Sequence, residues 1–280
     1  DPTGHLTAAF LLQDRGATVR ARYGWNLLAS DDEWCAPIDA QVGPDGHVWI
    51  IDWYNYIVQH NPTPAGYRTG RGNAYETDLR DKKHGRIYRV VYTAAPIEPR
   101  PDLAAANPRA WIAALDHPNL TWRLHAQRLL VERGQTDVVE PLLACLSREG
   151  FAPLHALWTL HGLGRLDGQD QRAAEAVLAA LRHPQVAVRA AAWQVIPRQN
   201  ALLARLADAW RQEGYPYVQL SALLALSEFP PHPEAARLLI QACRNWSFLD
   251  DELQTALTIA SAVHASHLLA QLADLPDRSE

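Results

Sequence analysis

Between Pro37 and Trp53 the apolar and polar positions alternate. Ile38, Ala40 and Val42 interleave with Asp39 and Gln41, as on one face of a strand. Gly43-Pro-Asp-Gly46 then predicts a turn: Pro44 presets φ, Asp45 bonds its own backbone, and Gly46 takes the left-handed position. His47–Asp52 predicts the returning strand, with Val48, Ile50 and Ile51 as core residues. His5–Leu12 predicts an earlier strand. Gly85–Tyr92 predicts a later one, with Ile87 and Val91 on one face and Tyr88 and Val90 on the other. Residues 61–83 are polar and without periodicity. A loop of that length is either functional, an insertion, or a solvated surface excursion.

The period changes near Asn107. Pro96–Pro101 (PIEPRP) reads as a stiff linker, so the pattern divides the chain into residues 1–95, a linker at 96–106, and a helical part at 107–280. Trp122, Ala126, Leu129 and Leu130 share one helical face, as do Val188, Ala192, Val195 and Ile196. These segments also repeat. Leu115 matches Leu181, Arg123 matches Arg189 and Ala126 matches Ala192, an offset of 66 residues, or two repeats of about 33 residues each. ACLSREGFAPLHALWTLHGLG, from Ala144, lies between them, and units at Ala201–Phe229 and Pro233–Val263 follow. Asp-His-Pro and Arg-His-Pro mark corners, where proline can begin a helix but not continue one. Asp250 is placed to cap a helix whose first turn holds Asp251 and Glu252. One hairpin of this kind cannot bury its apolar face alone, whereas stacked neighbours can. The pattern therefore predicts an α-solenoid of about five helical hairpins.

The composition, 48% hydrophobic and 20% charged over 280 residues, is that of a globular chain. The net charge of −5 disfavours a nucleic-acid partner. No apolar run reaches the length of a membrane span, and no signal peptide is visible. The chain begins at Asp1 and contains no Met, so it is expected to be processed or excised from a longer protein. Cys35, Cys145 and Cys243 are odd in number and far apart. They predict buried small apolar residues rather than a disulfide framework, and no CxxC or CxxCH motif encodes a zinc ribbon or a covalent haem site.

Candidate chemistry gathers where the predicted strand ends, in GPDGHVWIIDWYNYIVQHN (Gly43–Asn61). Asp52, Asn55 and His60 offer a carboxylate, an amide and an imidazole. Two readings stay open. They line a site for polyol hydroxyls or a hard cation, or Asp52 and Asn55 bond backbone amides and lock a strand corner. His84, Arg86 and Arg89 form a second polar group with Arg80 and Asp81, suited either to anion or substrate binding or to an Asp–Arg loop clamp. His5 follows a turn and can face the same strand end. In the helical part, His264 and His267 lie three apart but lack a third ligand for a metal. His155 and His161 flank Trp158 as packing residues. No nucleophile elbow, phosphate loop or dinucleotide fingerprint is present.

The strings EWCAPIDAQVGPDGHVWIIDWYNYIVQHN, NAYETDLRDKKHGRIYRVVY, WRLHAQRLLVERG and LHALWTLHGLGRLD resemble the large haem-binding dehydrogenase-like proteins of planctomycetes and verrucomicrobia. The resemblance spans nearly the whole chain. It implies a β-propeller, similar to soluble quinoprotein glucose or sorbosone dehydrogenases, followed by HEAT-like repeats and, in many members, a cytochrome c module with a CxxCH motif. Residues 1–92 would supply about one and a half blades, so the expected fold is α+β and multidomain: the C-terminal part of a β-propeller followed by an α-solenoid of HEAT-like repeats. By this resemblance the chain is a fragment of an extracytoplasmic, periplasmic dehydrogenase-like protein acting on a sugar or polyol. Quinone or haem c would belong to the parent and no cofactor to this chain. The solenoid's concave face would dock a protein partner or the electron-transfer domain. The alternative is a non-catalytic HEAT-repeat module that binds a protein or a glycan.

Overall fold

A computed structural model describes residues 1–57, 65–66, 68, 77–79, 81–94, 99–104, 107–245 and 250–274. The chain is α+β and divides into two compact units. The first holds Asp1–Gln13 and Arg20–Arg100, the second Asp14–Val19 and Pro101–Glu280.

The first unit carries two small sheets and no closed barrel among the described residues. Strands β1 (Leu6–Arg15) and β2 (Thr18–Ala29) form a two-stranded sheet. The first was expected at His5–Leu12 and runs three residues further. The second was not anticipated, although Val19, Ala21, Tyr23, Trp25 and Leu27 alternate with more polar neighbours. Strands β3 (Pro37–Val42), β4 (Val48–Asp52) and β5 (Arg86–Val90) form an antiparallel sheet in the order β3-β4-β5. The expected turn links β3 and β4, with Gly46 at φ 78°.

Register decides which apolar residues are inside. Ile50 pairs with Ala40 and Tyr88, and is fully buried. Ile51 pairs with Asp39 and Ile87 on the opposite face and is exposed, which corrects its place in the expected core: two successive strand residues cannot share a face. A register shift between Pro37 and Asp39 breaks the expected β3 pattern, and both Ile38 and Val42 are exposed.

The second unit holds, among the described residues, eleven α-helices: α1 (Pro108–Ala114), α2 (Leu120–Arg133), α3 (Val139–Cys145), α4 (Ala152–Gly162), α5 (Gln171–Ala180), α6 (Val186–Val195), α7 (Leu203–Gln212), α8 (Pro216–Ser227), α9 (Pro233–Asn245), α10 (Asp251–Val263) and α11 (Ala265–Ala273). Consecutive helices pair, as α1 with α2, α3 with α4, and α5 with α6. The even-numbered helices then pack in file, α2 on α4, α4 on α6, α6 on α8 and α8 on α10, while α7, α9 and α11 pack in a second file. The core is one continuous cluster that includes Leu115, Leu157, Trp193, Leu223 and Ala260, so each hairpin's apolar face is covered by its neighbours. Of the two predicted faces, Ala126, Leu130, Val188, Ala192, Val195 and Ile196 are buried.

Side-chain caps begin several of these helices. Asn107, Asn119, Asp170 and the predicted Asp250 each accept from backbone N–H groups of the first turn. The Asp250 carboxylate also accepts from Ala17 N at 2.6 Å, within the same unit. Cys35 and Cys145 are buried as expected, but Cys243 is exposed. Among the described residues no single helix is long and apolar enough to cross a membrane.

Candidate functional site

Asp52 closes β4, and its side chain is spent on the local backbone. Oδ1 accepts from Ala36 N at 2.7 Å and from Tyr54 N at 2.8 Å, and Oδ2 accepts from the Tyr88 hydroxyl at 3.1 Å. The residue is only 1% exposed. Trp53 N donates to Ala36 O at 3.0 Å, so the segment before β3 is stitched to the end of β4. Tyr54 follows with φ 54°, a left-handed conformation that costs a non-glycine residue free energy. The Asp52 hydrogen bond to its N–H helps hold it there.

Arg86 sits directly across the ladder from Asp52. It donates to the Tyr88 hydroxyl at 3.1 Å and to Asp32 Oδ2 at 2.7 Å, and its guanidinium lies 3.7 Å from the centre of the Tyr54 ring. Burial pushes the Tyr88 hydroxyl and the Cys35 thiol up from their ordinary values, and the nearby Asp52 adds to both shifts. Asp32, Arg86, Tyr88 and Asp52 thus form one hydrogen-bonded chain in which both carboxylates have donors.

The other candidates are tied in similar ways. His5, at φ 55°, donates from Nδ1 to Cys35 O at 2.7 Å. Asn55 is buried and accepts from Ile57 N at 3.2 Å within its own loop. The His84 imidazole bonds Asp81 and meets the Tyr54 ring edge-on at 6.3 Å. Asp81 is held below the usual carboxylate range, first by Lys83 N–H and then by His84. The fold therefore gathers Asp52, Arg86 and His84 around Tyr54 and connects His5 to Asp52 through Cys35 and Ala36, while Asn55 serves its own loop. His60 and Arg80 lie outside the described residues, as does most of the segment at 61–83. Arg89 belongs to a different cluster. It donates to Asp45 at 2.7 Å, and Asp45 also accepts from Trp49 Nε1 at 2.9 Å and from His47 N at 3.2 Å. These bonds, the Trp49 indole first, bring Asp45 down to about 2. His47 beside it is buried, with no partner at either ring nitrogen among the described residues.

Sequence reasoning passed over Asp32, Trp34 and Tyr88. The acidic run Asp31-Asp32-Glu33 ahead of Trp34 was the available signal. Trp34 packs at 5.7 Å on the Tyr54 ring and at 5.9 Å on Tyr56, and Trp53 and Tyr56 are exposed. The arrangement is a rigid polar corner faced with aromatic rings. Its carboxylates act as acceptors for fixed donors rather than as free bases. No cluster of three or more His, Cys, Asp or Glu suited to a metal ion occurs among the described residues.

In the helical unit the imidazoles serve as staples. His264, fully buried, donates from Nε2 to Leu226 O at 3.0 Å and accepts at Nδ1 from His232 N at 3.3 Å. His183 donates from Nε2 to Arg148 O at 2.9 Å and accepts from Gln185 N at 3.1 Å. His155 pairs with Gln127 at 2.8 Å through Nδ1 and accepts from Arg123 Nε at 3.1 Å. Burial first, and then the Arg123 charge, bring His155 down to about 4.

Comparison with known families finds a match over residues 1–94 to a family described as "Domain of unknown function (DUF7133)". No curated protein matches the chain. The match covers the sheet unit's residues and leaves the helices without a family assignment.

Proposed function

We propose that this chain is a non-catalytic docking part of a larger extracytoplasmic, dehydrogenase-like protein that acts on a sugar or polyol. Its sheet unit is read as a partial β-propeller and its helical unit as a HEAT-like solenoid. Asp52 carries the reading. A carboxylate that is almost fully buried and already accepts from Ala36 N, Tyr54 N and the Tyr88 hydroxyl is built to lock a corner. A general base would need an oxygen within reach of substrate. The meander β3-β4-β5, with Ile51 and Ile87 exposed on one face and Val42 on the other, is what a blade separated from its neighbours would leave uncovered. The two files of helices with one continuous core support a solenoid, and such arrays present extended surfaces to partners. Any quinone or haem c would be held by other parts of the parent.

Two measurements test this. The isolated chain, supplied with pyrroloquinoline quinone or haem and a panel of sugars and polyols, is expected to give no substrate-dependent dye reduction; robust turnover would overturn the division of labour. Cross-linking of the full-length parent is expected to map partner contacts onto α1–α11. Contacts confined to the sheet unit would overturn the docking role.

A second reading has one observation in its favour. Trp34, Tyr54 and Tyr56 form a ring cluster beside Asp32 and Arg86, with Tyr56 and the neighbouring Trp53 exposed. Aromatic faces next to fixed polar groups suit a glycan, so the sheet unit would hold sugar without transforming it. Glycan binding that is lost in Tyr56→Ala while Asp52→Asn leaves it intact would favour this reading.

A further inference from the structure

The solenoid reading leaves open where on the helices a partner would sit, and the inference here rests on that reading. Helices α8 and α10 are neighbours in the even-numbered file, and each already buries one face, through Leu223 and Leu226 on α8 and Leu253 and Ala260 on α10. Each also shows apolar side chains on a second face. Leu220 and Leu224, one turn apart, and Ala256 and Ile259 border a hollow of about 350 Å³ between the two helices. Leu224 is 41% exposed and Ile259 46%. A helix apolar on two sides has more greasy surface than its own neighbours cover.

One end of this hollow is acidic. Asp251 and Glu252, in the first turn of α10, border it. Asp250 is consumed as the cap, accepting from Glu252 N and Leu253 N. Asp251 and Glu252 are exposed, and neither is ion-paired among the described residues. The positive end of the helix favours carboxylates at this position, and both border the mouth of the apolar groove. Arg15 borders the adjoining hollow, which the same two carboxylates share.

We propose that the α8–α10 groove docks a short amphipathic helix of a partner protein. One or two leucine-like side chains would lie between Leu220, Leu224 and Ile259, and a flanking Lys or Arg would meet Asp251 and Glu252. A groove between two packed helices accepts the ridge of a third, and apolar anchors at helical spacing are how such segments are read. The charge complement selects a basic segment over an acidic one.

The test uses the whole chain and a fluorescein-labelled helical peptide with leucine on one face and lysine on the other, followed by anisotropy. The same peptide with glutamate for lysine is the comparison. The lysine peptide is expected to bind and the glutamate peptide to bind at least about tenfold more weakly. Leu224→Glu and Ile259→Glu, both at exposed positions and so compatible with folding, should each weaken binding about tenfold or more. Glu252→Gln should weaken it about threefold at low salt and have no effect at high salt. Leu124→Glu, on the exposed face of α2, should change nothing. Equal binding of both peptides, no binding of the lysine peptide, or insensitivity to both Leu224→Glu and Ile259→Glu would overturn the groove. If binding survives those two variants and is lost in Leu124→Glu, the groove is wrong but docking on the helices stands. Docking itself fails only if cross-links of the parent avoid the helices altogether.

Discussion

Arg123 and Arg189, related by the internal repeat, hold their corners in the same way. Nη1 of Arg123 donates to His117 O at 2.6 Å and Pro118 O at 2.8 Å, and Nη1 of Arg189 donates to His183 O at 2.9 Å and Pro184 O at 3.1 Å. Each guanidinium donates to both carbonyls of the His-Pro pair that precedes the next helix's capping residue, Asn119 or Gln185, and so supplies donors to a corner's backbone acceptors. The remaining donors have diverged: Arg123 Nε reaches His155, while Arg189 forms a two-bond pair with Glu213 at 2.9 and 3.2 Å.

That divergence predicts unequal costs. In the Arg189 pair both side chains are largely buried, at 13% and 4% exposure. Arg189→Ala strands the Glu213 charge and should cost about 3–5 kcal/mol, read as a lowered denaturant midpoint. Replacing both partners with apolar residues should recover much of that loss. If the double variant is no more stable than Arg189→Ala, the pair is not what holds the corner.

His155 sets a pH dependence. Its folded value of about 4 lies below the ordinary 6.5, so the unfolded chain takes up a proton first as pH falls. The stabilisation from keeping His155 neutral is complete above about pH 6.5, declines between 6.5 and 4, and is lost below that. The contribution is on the order of 3 kcal/mol. His155→Gln, which keeps a donor and an acceptor, should flatten the stability–pH curve in that window relative to wild type. Parallel curves for the two proteins would refute the assignment.

Asp52 separates a structural role from a chemical one. Asp52→Ala leaves the N–H groups of Ala36 and Tyr54 without their acceptor, at about 1–3 kcal/mol for each buried donor left unpaired. Asp52→Asn retains one oxygen for them and should cost less than half as much. Amide hydrogen exchange at Ala36 and Tyr54 reports this directly. Unchanged protection in Asp52→Ala would count against the locked corner.

Gly150 tests the junction between repeats. Its φ is 94°, and a Cβ there would lie 2.4 Å from Asp116 Oδ1, the oxygen that accepts from Phe151 N at 2.6 Å and Ala152 N at 3.1 Å at the start of α4. Gly150→Ala both strains the backbone and displaces this cap, so it should cost more than about 2 kcal/mol. Asp116→Ala alone should cost about 1 kcal/mol. Thermal melts rank the two, and the reverse order would show that the cap dominates.

The helical half was legible because its code is local and repeated. The offset relating Arg123 to Arg189, the apolar face of Val188, Ala192, Val195 and Ile196, and the Asp250 cap can all be read from spacing alone, since a helix makes neighbours of residues three and four apart. The sheet half was less so. Strand β2 was missed and Ile51 was assigned to the core, because burial of a strand residue depends on partners distant in sequence. The candidate site shows the same divide. Sequence composition brought Asp52, Arg86, His84 and His5 into view as polar groups near a strand end. Only the tertiary structure joined Asp32 to Arg86 and Tyr88 to Asp52. It also aimed the Asp52 carboxylate at the Ala36 and Tyr54 amides instead of at solvent. Residue type sets what a side chain can donate or accept; which partners it meets is settled by strand register and by the path of the chain between strands.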